Sequence, residues 1–284
     1  MKILTIGNGF IAHHLPYPIL EVKIQYNDYS IDRLFEVYKP DVLINCIGKT
    51  GVPNVDWCES NKEITATTNT ALPILLAEKC SKKSVHLINI GSGCIYFGKS
   101  SNIYLGSSRI EHSASDIGWK ENDFANPKSF YSRTKYACDL VLEDMPHVTT
   151  LRIRMPISEK NHPRNLINKL IGYKQIIDIP NSVTFIKDLQ NCVQWCIENN
   201  KSGIFHVTNP QPLSAVQIMM EYKKYVPEHT FEVITEQQLD NLTIAKRSNC
   251  ILNTDKLREA GFEMTPSHDA LSYCMAKYIL NKNF

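Results

Sequence analysis

The chain has 284 residues, of which 43% are hydrophobic and 21% charged, a composition that belongs to a folded globular protein rather than a disordered one. Its 31 basic and 29 acidic residues leave a net charge of +2. That is too little for a global field that gathers nucleic acid or a membrane surface, so any bound anion needs a local site.

No apolar run approaches the roughly 20 residues needed to span a bilayer. The opening MKILTIGNGF lacks the long apolar core and small-residue cleavage site of a signal peptide and reads as a first strand. The 9 cysteines are odd in number and form no CxxC. They predict reduced thiols and a cytosolic location rather than a disulfide framework. Cys192 and Cys196 stand one helical turn apart, but no His or Cys nearby completes a four-ligand set, so no metal is expected.

Short apolar runs alternate with helical patterns through the first half. KILTIG at 2–7 predicts a strand, followed by a turn and a short helix. EVKIQ at 21–25 predicts a second strand, SIDRLFEVY at 30–38 a helix, and DVLINCIG at 41–48 a buried strand. A long helical stretch covers about 57–80, and SVHLINIG at 84–91 reads as another strand. Residues 128–145 carry apolar positions three and four apart, as a helix does, and HVTTLRIR at 147–154 is strand-like. This alternation predicts βαβ units and an α/β fold built on a Rossmann-type, doubly wound parallel sheet.

After Pro156 the pattern changes. Residues 161–173 read as a Pro-initiated helix, and IIDIPNSVTF as irregular or a short strand. IKDLQNCVQWCIENN reads as a helix stopped by Gly203, and 203–209 as one more strand. The remainder is mostly helical. The expected division is a dinucleotide-binding domain over 1–155, with a strand returning near 203–209, and an interleaved, smaller, mostly helical substrate lobe over 156–284.

TIGNGFIAHHL sets Gly7, Gly9 and Ala12 between a strand and a helix, the GxGxxA form of the dinucleotide fingerprint. Gly7 permits the tight turn, Gly9 lets backbone approach a pyrophosphate, and Ala12 allows close helix packing. The helix N-terminus then offers N–H groups to the phosphates. Phe10 and Ile11 lie inside this loop and count as cofactor-binding with it. An acidic residue about 20 positions on would bind an adenosine ribose. Asp28 stands there, but a turn or helix-cap role fits it as well.

FYSRTK at 130–135 puts Tyr131 and Lys135 on one helix face. A nearby ammonium would stabilise a phenolate and lower the phenol's pKa, suiting Tyr131 to exchange a proton with a carbonyl oxygen. Lys135 could also hold a nicotinamide ribose. Ser92, at a strand end, could hydrogen-bond the same oxygen. A surface tyrosine stacked on a lysine stem is the alternative.

These parts resemble the extended short-chain dehydrogenase/reductases. The match sharpens at GKTGVPNVDWCESNK (48–62), GSGCIYFG (91–98), SFYSRTK (129–135), RIRMPIS (152–158), HPRNLINK (162–169), IDIPNSVT (177–184) and RSNCILNTDKL (247–257). Together these resemble the nucleotide-rhamnose synthase/epimerase-reductase family of plants and giant viruses, among the dTDP-4-dehydrorhamnose reductase-like enzymes. The resemblance implies C3 and C5 epimerisation of UDP-4-keto-6-deoxy-glucose, then NADPH-dependent C4 reduction to UDP-L-rhamnose. NADH and a dTDP sugar stay open, as does a homodimer.

The resemblance also implies an acid/base pair, Cys94 of GCIY and Lys169 of PRNLINK, with the order of their roles open. By themselves, Cys94 reads as a small buried residue and Lys169 as a solvated helix charge. Cys46, Ile47 and Gly48 are implied to line the cofactor. Lys49 to Asn54, Arg164, Asn165 and Arg247 are implied for the diphosphate or sugar, the arginines because guanidinium binds phosphate oxygens in pairs. The chain departs from plant members in its shorter glycine loop, in Ser92 where they carry Thr, and at 97–118, a longer and divergent loop. A reductase without epimerase activity and a non-catalytic reductase-like subunit are the rival expectations.

Overall fold

A computed structural model describes residues 1–20, 24–98 and 118–282. The strand expected at 21–25 and the divergent loop at 97–118 fall largely outside these residues.

The elements run in the expected alternation. Strand β1 (Ile3–Ile6), helix α1 (Asp28–Tyr38), β2 (Val42–Asn45), α2 (Asp56–Ser60), α3 (Lys62–Ala66), α4 (Leu72–Lys82), β3 (His86–Ser92), α5 (Phe130–Leu142) and β4 (Val148–Ile153) come first. Then follow β5 (Pro156–Ile157), α6 (Leu166–Gly172), β6 (Gln175–Ile177), β7 (Thr184–Phe185), α7 (Ile186–Glu198) and β8 (Gly203–His206). The chain continues through α8 (Ala215–Lys223), β9 (Glu232–Ile234), α9 (Glu236–Leu242), α10 (Asp255–Glu259) and α11 (Ser267–Lys282).

Among the described residues the main sheet has the order β1-β2-β3-β4-β8. β2 pairs in parallel with β1 on one side and β3 on the other, with Ile6 and Asn89 both opposite Asn45. All of β2 is buried, as a parallel strand flanked by helices must be. The protein is thus a mixed α/β, Rossmann-like fold. Beyond β1, Thr5 bridges Ile19 in parallel, so the chain begins to run beside β1 just before the undescribed residues.

The structure forms two compact units, residues 1–95, 125–152 and 190–205 in one and 96–124, 153–189 and 206–284 in the other. The core of the first packs Leu4, Ile6, Leu43 and Leu87 from the sheet against Leu34, Phe35, Leu72, Leu76 and Leu142 from the helices. Leu76 is fully buried there. Leu76→Ala is expected to cost about 3 kcal/mol by lost transfer and cavity formation, read as a lower midpoint in chemical denaturation. The core of the second unit gathers Ile157, Ile167, Phe185, Met219, Met275 and Tyr278. Two short parallel ladders, β5–β7 and β6–β9, belong to it. Arg154 is 1% exposed there, with hydrogen bonds to Ser248 and Asn181 side chains.

Three boundaries differ from expectation for local reasons. The stretch at 57–80 is not one helix. Asn61 leaves helical geometry between α2 and α3, and a π-turn at Thr67–Ala71 precedes α4. Pro73 lies at the start of α4; it has no N–H to give back to the preceding turn, and the wider turn accommodates that loss. Helix α6 begins at Leu166 instead of Pro163, because the Asn165 side chain caps it by accepting the Ile167 N–H. Helix α7 ends at Glu198, before Gly203. Asn200 takes the left-handed conformation at φ 45°, and Gly203 opens β8.

Candidate active site

Gly7 follows β1 with φ +102°, a region that disfavours side chains. A Cβ there would lie 2.9 Å from the Cys46 carbonyl carbon and the Ile47 nitrogen, so the loop presses directly on the end of β2. A Cβ on Gly9 would meet nothing within 4 Å. The backbone of this turn is therefore pinned from below and open above, the shape a dinucleotide phosphate cradle requires. Ala12 is fully buried, as close packing predicts. Phe10 is buried with its ring edge-on to His14, and Ile11 is half-buried. The following helix is only a 3-10 turn, Ala12–His14. The short helix expected after the turn is thus a single turn.

At the end of β2 the Cys46 N–H donates to the Ile6 carbonyl at 2.9 Å, and burial pushes the Cys46 thiol up to about 12. The Ile47 N–H donates to Asn45 Oδ1 at 3.0 Å. Beyond Gly48, fully buried Asn69 accepts the Lys49 N–H at 2.7 Å and donates to the Lys49 carbonyl at 2.9 Å. Asn69 also donates to Thr134 Oγ1 at 3.3 Å, tying this loop to α5. Sequence reading passed over Asn69; its signal was a polar residue four positions before Pro73 in an otherwise helical pattern.

Helix α5 starts from Ser129, whose hydroxyl accepts the Ser132 N–H at 3.1 Å. The Phe130 N–H donates to Glu59 at 2.8 Å, and Ser132 Oγ donates to the Cys94 carbonyl at 2.6 Å. These bonds fix the first turn of α5 against the segment after β3. There Ser92 closes the strand, its hydroxyl accepts the Cys94 N–H at 3.2 Å, and it lies near enough to Tyr131 to act on the phenol. Cys94 and Tyr131 are each half-buried. Lys135 is 4% exposed and donates to the Ile90 carbonyl at 3.0 Å. Ser92, Cys94, Tyr131 and Lys135 thus come together at one edge of the sheet.

Tyr131 departs from expectation in its ionisation. Its pKa is raised from the ordinary 10.0, first by burial and then by Cys94, while the neighbouring Ser92 hydroxyl opposes this. The predicted lowering is corrected, because burial penalises the phenolate and sets the direction of the shift. Tyr131 is therefore a neutral phenol through the physiological range, equipped to donate a proton. The folded state holds that proton more tightly than the unfolded chain. Its contribution to stability is complete below the ordinary phenol value of 10.0 and is lost as pH climbs through the raised one. Any proton donation by Tyr131 should stay level through neutral pH and decline only in strong alkali, as a pH–rate profile would read.

The other residues singled out in the sequence are placed as follows. Asn54 is half-buried and accepts the Asp56 N–H at 2.8 Å, and Lys49 sits 5.1 Å over the Trp57 ring. Asp28 opens α1 and is ion-paired with Lys79 at 2.7 Å, which lowers its carboxyl pKa. That placement matches the helix-start reading. In the second unit, Lys169 lies half-buried on α6, Arg164 precedes that helix, and half-buried Arg247 donates to the Ala245 carbonyl at 3.0 Å. Asn165 is fully buried. It donates to the Ser158 and Lys160 carbonyls at 2.6 and 2.8 Å and accepts the Ser158 and Ile167 N–H groups at 3.2 and 3.3 Å. Its side chain is committed to backbone, so its assignment as a substrate ligand is corrected to a scaffold role.

No described helix is long and apolar enough to cross a membrane, and no cluster of metal-ligating side chains occurs among the described residues.

Comparison with known proteins agrees with this geometry. The RmlD substrate binding domain family matches residues 21–280. A bifunctional dTDP-4-dehydrorhamnose 3,5-epimerase/dTDP-4-dehydrorhamnose reductase of Arabidopsis thaliana is 40% identical over 232 residues, 81% of this chain and 74% of that protein. Protein L780 of Acanthamoeba polyphaga mimivirus is 32% identical over 275 residues, 91% of this chain and 92% of the other. The crystal structure of L780, described as a UDP-rhamnose synthase, superposes with a TM-score of 0.85 at 30% identity, covering 98% of this chain and 99% of that one. A dTDP-4-dehydrorhamnose reductase from Bacillus anthracis, solved with NADP, shares the fold at a TM-score of 0.78 and 16% identity over 99% of each chain. The chain belongs to the RmlD substrate-binding-domain family.

Proposed function

We propose that this protein converts UDP-4-keto-6-deoxy-glucose to UDP-L-rhamnose, inverting C3 and C5 and then reducing the C4 ketone with NADPH. The observation that carries this reading is the gathering of Ser92, Cys94 and Tyr131, with the Cys94 N–H bonded to Ser92 and Lys135 buried one helical turn away. The relatives' activities support it.

The Gly7–Ile11 loop fits a pyrophosphate, and Cys46, Ile47 and Gly48 stand at the adjoining strand end. Lys135 and Tyr131 would face the nicotinamide ribose. NADPH, when bound, supplies the hydride for C4. The chain's own task is to hold the ketone oxygen and move protons around it. Tyr131, a neutral phenol whose pKa burial raises further, donates a hydrogen bond to that oxygen, and Ser92 gives a second.

A ketone at C4 acidifies the protons on C3 and C5. Removing either one puts negative charge on the same oxygen, so both donors stabilise the enolate as they later stabilise the alkoxide. Cys94 and Lys169 serve as the acid/base pair, one removing a proton and the other returning one to the opposite ring face. After both inversions, hydride adds to C4 and the Tyr131 proton passes to oxygen. Arg164 and Arg247 are proposed to bind the diphosphate.

The test is incubation of UDP-4-keto-6-deoxy-glucose and NADPH with this protein and no other enzyme, the product being identified by NMR. UDP-L-rhamnose is expected. Consumption of only pre-epimerised ketone would leave a reductase, and no consumption of either would sink the reading.

A further inference from the structure

Lys135 is almost wholly withdrawn from water, and a neutral carbonyl does not balance its charge. One turn further along α5, Asp139 is 1% exposed. Its Oδ2 accepts from Arg152 Nε at 2.8 Å, and Arg152 is itself 2% exposed. Its other oxygen, Oδ1, is buried with no hydrogen-bond partner. Tyr131, Lys135 and Asp139 recur every four residues and so share one face of α5. Their charges act on one another: Lys135 and Arg152 lower the Asp139 pKa against the larger effect of burial, and Asp139 acts in turn on Tyr131. Other titratable groups reaching this face are Cys138 on α5, Glu143 just after it, Cys94 after β3 and Cys58 on α2.

An Asp139 that merely satisfied Arg152 would aim both oxygens at the guanidinium. Only one is so engaged by Arg152 Nε, and Lys135 stands one turn back on the same helix face. We propose that Asp139, anchored by Arg152, is a positioning residue for the ketone reduction: its carboxylate is the counter-charge that keeps the Lys135 ammonium at the Ile90 carbonyl, one turn from Tyr131. The inference rests on the reading of Tyr131 and Lys135 as the reductive pair.

Asp139→Asn alone leaves the Arg152 guanidinium buried beside an amide and is expected to destabilise the fold. The deciding protein is the double variant Asp139→Asn with Arg152→Gln, which removes both charges together and is expected to melt cooperatively. It should bind NADPH about tenfold more weakly by tryptophan fluorescence and reduce the ketone with a kcat lowered about tenfold or more, with the KM for the nucleotide sugar little changed.

A folded double variant with wild-type NADPH affinity and kcat overturns the proposal and leaves Asp139 as the packing partner of Arg152. Asp139→Glu keeps the charge and should keep NADPH affinity and kcat near wild type; a loss in that protein as large as in the double variant would equally overturn it. A wild-type protein that neither binds NADPH nor reduces the ketone defeats the Tyr131–Lys135 reading itself, and this inference with it.

Discussion

Tyr131→Phe is expected to lower kcat for ketone reduction by about 10²–10⁴-fold, the range for loss of a general acid. It should also slow deuterium incorporation at C3 and C5 of the keto-sugar. Both effects follow from one oxygen. The phenol is protonated at neutral pH, and burial raises its pKa further above the ordinary 10.0, so it can donate to the carbonyl before chemistry and to the enolate or alkoxide afterwards. Phenylalanine keeps the ring and removes the donor, leaving Ser92 to hold the oxygen alone. Rates of reduction and exchange, measured on the same preparation, check the claim. Normal reduction by the variant would refute proton donation from Tyr131. Slow reduction with undiminished exchange would separate the two reactions and end the shared-oxygen mechanism.

Cys94→Ala is expected to separate the two reactions in the other direction. Exchange at C3 and C5 should drop by at least about a hundredfold, while reduction of a ketone already inverted at both centres stays within a few-fold of wild type. The reason lies in how the cluster is bonded. Cys94 is attached to the site through its backbone, its N–H on Ser92 Oγ and its carbonyl receiving Ser132 Oγ. Alanine preserves both of those bonds and deletes only the thiol. A variant that reduced poorly as well would show the thiol supporting the Ser92–Tyr131 geometry, and one that exchanged normally would remove Cys94 from epimerisation.

The parts that were legible in the sequence are those governed by neighbours along the chain. The runs at 2–7, 41–48, 84–91 and 147–154 became β1 to β4 because apolar stretches of that length bury well on both faces of a parallel sheet. The YxxxK spacing placed Tyr131 and Lys135 on one helix face because a turn takes 3.6 residues. The break of the 57–80 stretch, the true start of α6 and the scaffold role of Asn165 were not legible. Each depends on which distant or irregular backbone group claims a side chain, and periodicity carries no such information. Asn165 has the same residue type whether it meets a sugar or, as here, four backbone groups of its own loop.

Residue order by itself determined the alternation of strands and helices, the glycine turn after β1, and the set of hydroxyl, thiol, phenol and amine groups available for chemistry. Only the tertiary structure decided the state of those groups. It raised the Tyr131 pKa so that its proton is held, sent the Lys135 ammonium to Ile90, and paired Asp139 with Arg152. The physical reason is that ionisation and hydrogen-bond partnership follow from solvent exclusion and from charges brought close by folding, and neither is encoded by spacing along the chain.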